Sequence, residues 1–332
     1  MTCTKRLARS GAVLVAAALV LALCVLGAAL APQKAWAYGF TQSAATDKTA
    51  TITWDDPNAD TDSYTTVGYT VSWGAEYGKV TRSVQLDPSQ RSYTVTGLKP
   101  GTKYYAKVEY RERSSYSGNE NTYTIGSGDI ASRVVAPTGI EQTKWWYYAK
   151  SVEFTWDRQD AADEVEYRVC KDGSKKVFKE DSLTYPPTEF SVSKVSNNVV
   201  YTVQIRVHDQ WGWSAWSKKA YLFTQPMVKD KKTKVVGKSL LISWDKIKGA
   251  TGYDVYVSLK EKKGYKKVAS VKASKGSVTV KKLGKKAKIN PKKKYYVYVV
   301  AKKKVGKDVY TSGRHYTYAV KGKTGSLRWT FD

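Results

Sequence analysis

Beyond the first forty residues the chain runs as short stretches in which apolar and polar residues alternate. Ala50-Thr51-Ile52-Thr53, Ser151-Val152-Glu153-Phe154-Thr155 and Leu240-Leu241-Ile242-Ser243 are three of them, and a period of two predicts half-buried β-strands. The stretches are rich in Val, Thr, Tyr and Trp and are separated by Gly, Asn, Asp and Lys turns. After Tyr38 no amphipathic stretch of helical period and useful length occurs. Short strands at regular spacing predict an all-β sandwich or barrel. Each of the three strands closes on Trp-Asp, at Trp54-Asp55, Trp156-Asp157 and Trp244-Asp245, steps of 102 and 88 residues. A Tyr-x-Val strand follows each time, at Tyr69-Thr70-Val71, Tyr167-Arg168-Val169 and Tyr253-Asp254-Val255. A repeat of roughly one hundred residues is one sandwich per copy.

A third marker completes the repeat. Leu98-Lys99-Pro100-Gly101-Thr102-Lys103-Tyr104 has a counterpart in Val195 to Tyr201, with Asn197 in place of the proline. A further counterpart is Asn290-Pro291-Lys292-Lys293-Lys294-Tyr295, where six residues are inserted between Leu283 and Pro291. Strand-closing Trp, following Tyr-x-Val and this turn, in the same order three times, resemble the fibronectin type III domain. The resemblance implies an all-β chain of three tandem fibronectin type III-like, immunoglobulin-like β-sandwiches over residues 38–136, 137–225 and 226–332. It makes Tyr104, Tyr201 and Tyr295 tyrosine corners, structural rather than functional. Trp54, Trp156 and Trp244 are then expected at the sandwich centres against Tyr69, Tyr167 and Tyr253. Alternation sends Tyr104, Ala106 and Val108 inward and Lys107 and Glu109 outward.

The first 37 residues read as an export signal. Lys5, Arg6 and Arg9 precede an apolar run from Ala12 to Ala31, and Ala35-Trp36-Ala37 is a small-x-small cleavage site. Cleavage after Ala37 leaves Tyr38 first; an uncleaved anchor is the competing reading, because the run approaches the ~20 residues that span a bilayer. Cleavage also removes Cys3 and Cys24, leaving Cys170 as the one thiol and no membrane span in the mature chain. Secretion to a bacterial cell surface is the expected location. Three Cys and two His in the whole chain cannot assemble a disulfide framework, an iron–sulfur cluster or a multi-ligand zinc site. His208 and His315 fall in different repeats without a nucleophile beside them. Asp55, Asp56, Asn58, Asp60 and Asp62 resemble the opening of a calcium loop, but Thr61 stands for the required Gly and Val67 for the bidentate Glu. A solvated turn is expected there, with no metal, no cofactor and no enzymatic activity.

Charge is concentrated in one repeat. Residues 226–332 carry 30 Lys+Arg against 6 Asp+Glu, a net of +24 in a chain whose total is +27. Lys262, Lys263, Lys266, Lys267, Lys285, Lys286, Lys292, Lys293, Lys294, Lys302, Lys303 and Lys304 fall in turns and at strand ends. Lysines there solvate a surface and protect sheet edges, but this density costs self-repulsion and points to an anionic partner. A teichoic-acid-like wall polymer, an anionic lipid surface, extracellular DNA and a host sulfated glycan are the alternatives. Only Arg314 and Arg328 are arginines in this repeat, which favours diffuse attraction over sequence-specific nucleic-acid reading. Tyr256, Tyr296 and Tyr298 on the outer side of the same repeat are candidate stacking residues for a glycan.

The second repeat holds Trp145-Trp146-Tyr147-Tyr148 and the cluster Trp211, Trp213 and Trp216. Trp213-Ser214-Ala215-Trp216-Ser217 is similar to the Trp-Ser-x-Trp-Ser motif of cytokine-receptor fibronectin domains. That implies a structural ladder with Arg168 and Arg206 on Trp213 and Trp216, with Cys170 on the same outer face. Trp145 and Trp146 are the glycan-stacking candidates, since adjacent indoles cannot both enter one core. The expectation is a non-enzymatic exported adhesion or scaffold protein attached by its lysine-rich repeat. A secreted carbohydrate-binding protein using the second repeat, and a passive spacer in a larger extracellular assembly bound to protein or glycan, are the competitors.

Overall fold

The computed structural model describes residues 39–284 and 287–329. The export signal and cleavage site, together with Lys285 and Lys286, lie outside the described residues. By contacts along the chain the molecule divides into two units: Met1–Val135 with Gln159–Asp163 and His208–Ser214, and Ala136–Arg158 with Glu164–Val207 and Ala215–Asp332.

The first unit is built on one sandwich. Strands β1 (Phe40–Ala45), β2 (Ala50–Trp54) and β5 (Ser92–Val95) form one sheet. Strands β3 (Tyr64–Gly74), β4 (Arg82–Leu86), β6 (Lys103–Ser114) and β7 (Glu120–Ala131) form the other, in the order β4-β3-β6-β7. Every pairing is antiparallel. Alternation decides what is buried: Ile52 and Trp54 from β2, Tyr69 and Val71 from β3, and Ala106 and Val108 from β6 share the core with Ile130. The Trp54 and Tyr69 rings meet at 5.5 Å. The Asp55–Asp62 stretch is a tied turn. The Asp56 carboxylate accepts from the Asn58 amide (3.1 Å) and the Thr66 hydroxyl (2.7 Å) and pairs with Arg91. Burial would raise its pKa, but those bonds and the Arg91 charge hold it below the usual carboxylate range. In the same unit the buried Asp209 carboxylate accepts from the amides of Val134 and Trp211, both at 2.8 Å, and Gln159 bonds both backbone groups of Val135.

In the second unit, β8 (Glu141–Trp146), β9 (Ser151–Thr155) and β12 (Glu189–Val192) form one sheet in the order β12-β9-β8. It faces β10 (Glu164–Lys171), β11 (Val177–Thr184), β13 (Tyr201–Asp209) and β15 (Ala220–Leu222), where β10 lies between β11 and β13; the last two residues of β13 and their partner β14 (Gly212–Trp213) belong to the first unit. Phe154, Tyr167 and Phe190 stack at the centre beside buried Trp156, whose Nε1 donates to the Pro187 carbonyl at 2.8 Å. A 3-10 turn at Asp230–Lys232 leads into a third pair of sheets. One holds β16 (Lys234–Val236), β17 (Ser239–Ser243) and β20 (Ser277–Val280). The other includes β18 (Gly252–Ser258) and β19 (Lys266–Lys272). Strand β21 (Lys282–Leu283) pairs with β22 (Ala287–Lys288), which lies in the stretch between Leu283 and Pro291 where the insertion falls. The larger sheet continues through β23 (Tyr295–Val305), β24 (Asp308–Thr311), β25 (Tyr316–Lys321) and β26 (Thr324–Trp329), in the order β19-β18-β23-β25-β26 with β24 also on β23. Trp244 packs on Tyr253 at 5.4 Å. Strand β26, which the repeat pattern does not predict, fits because Gly325 sits where a Cβ would meet the Tyr318 ring. Tyr318 is buried, and its hydroxyl donates to Asp230.

All three tyrosine corners form through the same bond. The hydroxyls of Tyr104, Tyr201 and Tyr295 accept the amides of Lys99, Ser196 and Asn290 at 2.9, 2.9 and 2.7 Å, each five residues upstream. A second seam inside this unit joins 142–225 to 244–329. Gln225 is fully buried; its side-chain oxygen accepts from the His315 and Tyr316 amides at 2.7 and 3.0 Å, and its nitrogen donates to the Tyr316 carbonyl.

Candidate anion-binding pole and aromatic cleft

Register fixes where the lysines of residues 226–332 gather. Ser258, the last residue of β18, pairs with Tyr296, so the 259–265 loop lies beside the 290–294 turn. Leu240 pairs with Val280 and Val236 with Ser239, which brings the 237–238 turn and the start of the 281–289 hairpin to the same end. Tyr295 pairs with Val320, adding the 322–323 turn, and the Val235 amide bonds the Gly322 carbonyl at 2.6 Å. Gly322 has φ +59°, as a two-residue hairpin turn requires. This pole exposes Lys260, Lys262, Lys263, Lys292, Lys293 and Lys294, joined by Lys238, Lys281, Lys282, Lys288, Lys321 and Lys323. Among the described residues it has one carboxylate, Glu261, which stands 4.0 Å from Arg328. Short loops and turns hold the charges on one end of a rigid sandwich, and like charges so gathered sum to a strong positive potential. Repeat spacing could not reveal the second group of six; strand register did.

The neighbouring lysines are placed differently. Lys266 and Lys267 are exposed on β19, with Lys267 3.6 Å from Asp254, and Lys304 is exposed on β23. Lys302 and Lys303, expected among the free cations, are not free. Lys302 donates to Asp254 (2.7 Å) and Ser270 (2.9 Å), and Lys303 is paired with Asp172. Consecutive lysines on a strand alternate faces, and Lys302 and Lys303, on opposite faces, each meet a carboxylate distant in sequence. Burial would raise the Asp254 carboxyl, but the bonds from Lys302 and Ser270 and the charges of Lys302 and Lys267 outweigh it and lower its pKa.

The aromatic candidates separate too. Tyr256 and Tyr298, cross-strand partners, stack on each other at 4.6 Å and 10°. Tyr265 meets Tyr298 edge-on, and the Arg314 guanidinium lies over Tyr265 (5.2 Å) and Tyr298 (5.6 Å). Burial pushes the Tyr298 phenol up to about 12. Tyr296 carries the Lys294 ammonium at 5.4 Å. Trp145, expected as an exposed stacking residue, is 3% exposed: β8 turns it inward, where it meets Tyr147 and His315 edge-on. Trp146, on the opposite face of the strand, is 43% exposed, and its Nε1 donates to Glu153 at 2.6 Å. Trp216 lies between the guanidinium groups of Arg168 (4.1 Å) and Arg206 (4.7 Å), the stacking expected of a cation–π ladder. Trp213 packs on His208 at 5.1 Å. Cys170 is a half-buried free thiol. Beside Trp145 and Trp146 the unit opens a cleft of about 600 Å³, lined also by residues 311–315 and Trp329.

In comparison with known families, residues 31–125 match the fibronectin type III domain. Two solved structures are similar over more of the chain. The FN1-FN3 domains of chicken CNTN1 are 14% identical and cover 89% of this chain and 98% of their own at a TM-score of 0.34. A two fibronectin type-III domain segment of chicken tenascin is 17% identical and covers 56% of this chain and 98% of its own at a TM-score of 0.30. No curated protein matches the chain. A three-stranded sheet set against a larger one, of four strands in β4-β3-β6-β7 and of five and six strands in the two later pairs, makes the chain an all-β protein of tandem fibronectin type III-like sandwiches. Among the described residues no helix is long and apolar enough to cross a membrane.

Proposed function

We propose that this is a non-enzymatic exported adhesion or scaffold protein that attaches to an anionic surface polymer through the lysine pole of residues 226–332. The polymer class favoured is a phosphate- or carboxylate-bearing wall glycopolymer, met on export by the signal in residues 1–37. The sandwiches preceding the pole present or space a binding face. One observation carries the reading: turns from five separate segments bring their lysines to one end of one sandwich, where Glu261 is the single carboxylate among the described residues. A lysine surface needed only for solubility has no reason to converge. Lysine, a hydrated point charge, suits a polymer followed by charge rather than by shape.

The test is co-sedimentation of the purified chain with bacterial cell walls, native and stripped of anionic glycopolymer, across a salt series. Binding should require the polymer and fall steeply with salt. The triple variant Lys292→Glu, Lys293→Glu, Lys294→Glu should weaken it by about a hundredfold or more, on the order of 1 kcal/mol for each lysine lost at a polyanionic surface. Equal binding to both wall preparations, or an unchanged triple variant, overturns the proposal.

A further inference from the structure

We infer that the cleft beside β8 is a binding site for an acidic sugar, a hexose carrying a carboxylate. The inference is independent of the lysine pole. At about 600 Å³ the cleft lies in the range of small-ligand sites. One wall is the end of β8 and the turn after it; the other is the 311–315 turn and the end of β26.

The walls offer two held aromatic faces. Trp146 is 43% exposed, and its bond to Glu153 fixes the indole from behind. Tyr148 is 79% exposed, and its ring is braced by Tyr147 at 5.2 Å and Trp329 at 5.6 Å. Large exposed rings on a rigid support lose little freedom on binding and suit the C–H face of a pyranose. Packing of the seam does not need them: Gln225, the Trp145–His315 contact and the Tyr147–Trp329 contact at 5.8 Å already close it.

The charged side chains lining the cleft are both cations, Lys144 and Arg314, beside the neutral polar Gln142, Thr143, Thr311 and Ser312. Trp145 is almost fully buried and lends the cleft part of its ring; its Nε1–H is enclosed, as are those of Trp54, Trp73, Trp211 and Trp244, and is not open to a ligand. Arg314 lines the cleft with its guanidinium stacked on Tyr265 and Tyr298 and no carboxylate within ion-pair distance among the described residues. Lys144 adds an ammonium, shared with Glu153 at 3.2 Å. Burial lowers the pKa of His315, and its Nε2 donates to the Ser312 carbonyl at 2.8 Å. Among the described residues no Asp or Glu lines the cleft. An unneutralised guanidinium with the Lys144 ammonium beside it selects an anion, and the guanidinium fork fits a carboxylate in two parallel bonds. Aromatic faces beside that fork select a sugar over a bare ion.

The experiment titrates the purified chain with trigalacturonate, following tryptophan fluorescence and calorimetry, against its methyl ester as the uncharged control. The acid should bind saturably, and the ester about tenfold or more weakly, the loss expected when a charge-assisted bond is removed. Trp146→Ala and Arg314→Gln should each weaken the acid by a similar factor. The lysine-pole triple variant should stay within about twofold, which separates this site from the pole. If Arg314→Gln unfolds, Tyr148→Ala, at an exposed position, replaces it with the same expectation. Equal affinity for acid and ester, no saturable binding, or loss in the pole variant with Trp146→Ala unchanged overturns the inference.

Discussion

Three tyrosine corners with one bond geometry and unequal burial form a graded experiment. Tyr295 is 1% exposed, accepts the Asn290 amide at 2.7 Å and donates to the Asn290 carbonyl at 3.2 Å. Tyr201 is equally buried and accepts the Ser196 amide at 2.9 Å. Tyr104 accepts the Lys99 amide at the same distance but is only half-buried, and that bond is exposed. Replacing each by Phe keeps the ring and deletes the hydroxyl. Where water cannot reach, the orphaned amide costs about 1–3 kcal/mol; where it can, only the net worth of the bond is lost, about 0.5–1.5 kcal/mol. The expected order is therefore Tyr295→Phe first, Tyr201→Phe next and Tyr104→Phe last. Hydrogen exchange by mass spectrometry reads each sandwich separately, at about tenfold faster exchange per 1.4 kcal/mol where the sandwich opens as a unit. Peptides from β23, β13 and β6 should lose protection in that order. A Tyr104→Phe effect as large as Tyr295→Phe, or no change in β23 on Tyr295→Phe, refutes the argument that burial sets the cost.

Two further outcomes follow from the polar contacts. The folded Asp254 carboxyl has a pKa below its unfolded value of about 3.9, so its contribution is present above that value and is lost as pH falls through the folded one. The sandwich holding β18 should weaken on acidification below about pH 4, and Asp254→Asn should flatten that part of a urea-midpoint profile; an unchanged slope rejects the assignment. Gln225→Ala strands the buried His315 and Tyr316 amides and should cost about 2–5 kcal/mol. Faster exchange should appear in β25 while β1 to β7 stay unchanged, and exchange in β25 like that of the unaltered chain would refute it.

The fold was legible because its signals are local. Trp-Asp, Tyr-x-Val and the corner each lie within seven residues, and burial of their apolar members follows from alternation. Even Asn197 in place of the expected proline did no harm, since the corner bond uses the backbone amide of Ser196 rather than the residue after it. The six-residue insertion is visible as spacing, and it supplies β22, the partner of β21. What sequence could not give depends on pairs far apart. Asp254 and Asp172 take up Lys302 and Lys303 from 48 and 131 residues away. Arg314 and Trp329 meet the Trp146 strand across more than 160 positions, a distance over which periodicity carries no information. Adjacent indoles on a strand cannot share one core, but alternation alone does not say which of Trp145 and Trp146 turns inward.

Strand β26 has a consequence for how the molecule can associate. In the first unit the larger sheet ends at β7, twelve residues long, and its outer row of backbone groups is a template on which a strand from another chain can dock. In the 226–332 sandwich the corresponding place is already taken by the chain's own β26. The new border is only six residues long and carries Gly325, features that make a poor template. Edge-to-edge growth into fibres or ribbons is thus discouraged on the sandwich with the greatest positive charge. A polyanion that crowds many copies together would gather their lysine poles without zipping their sheets.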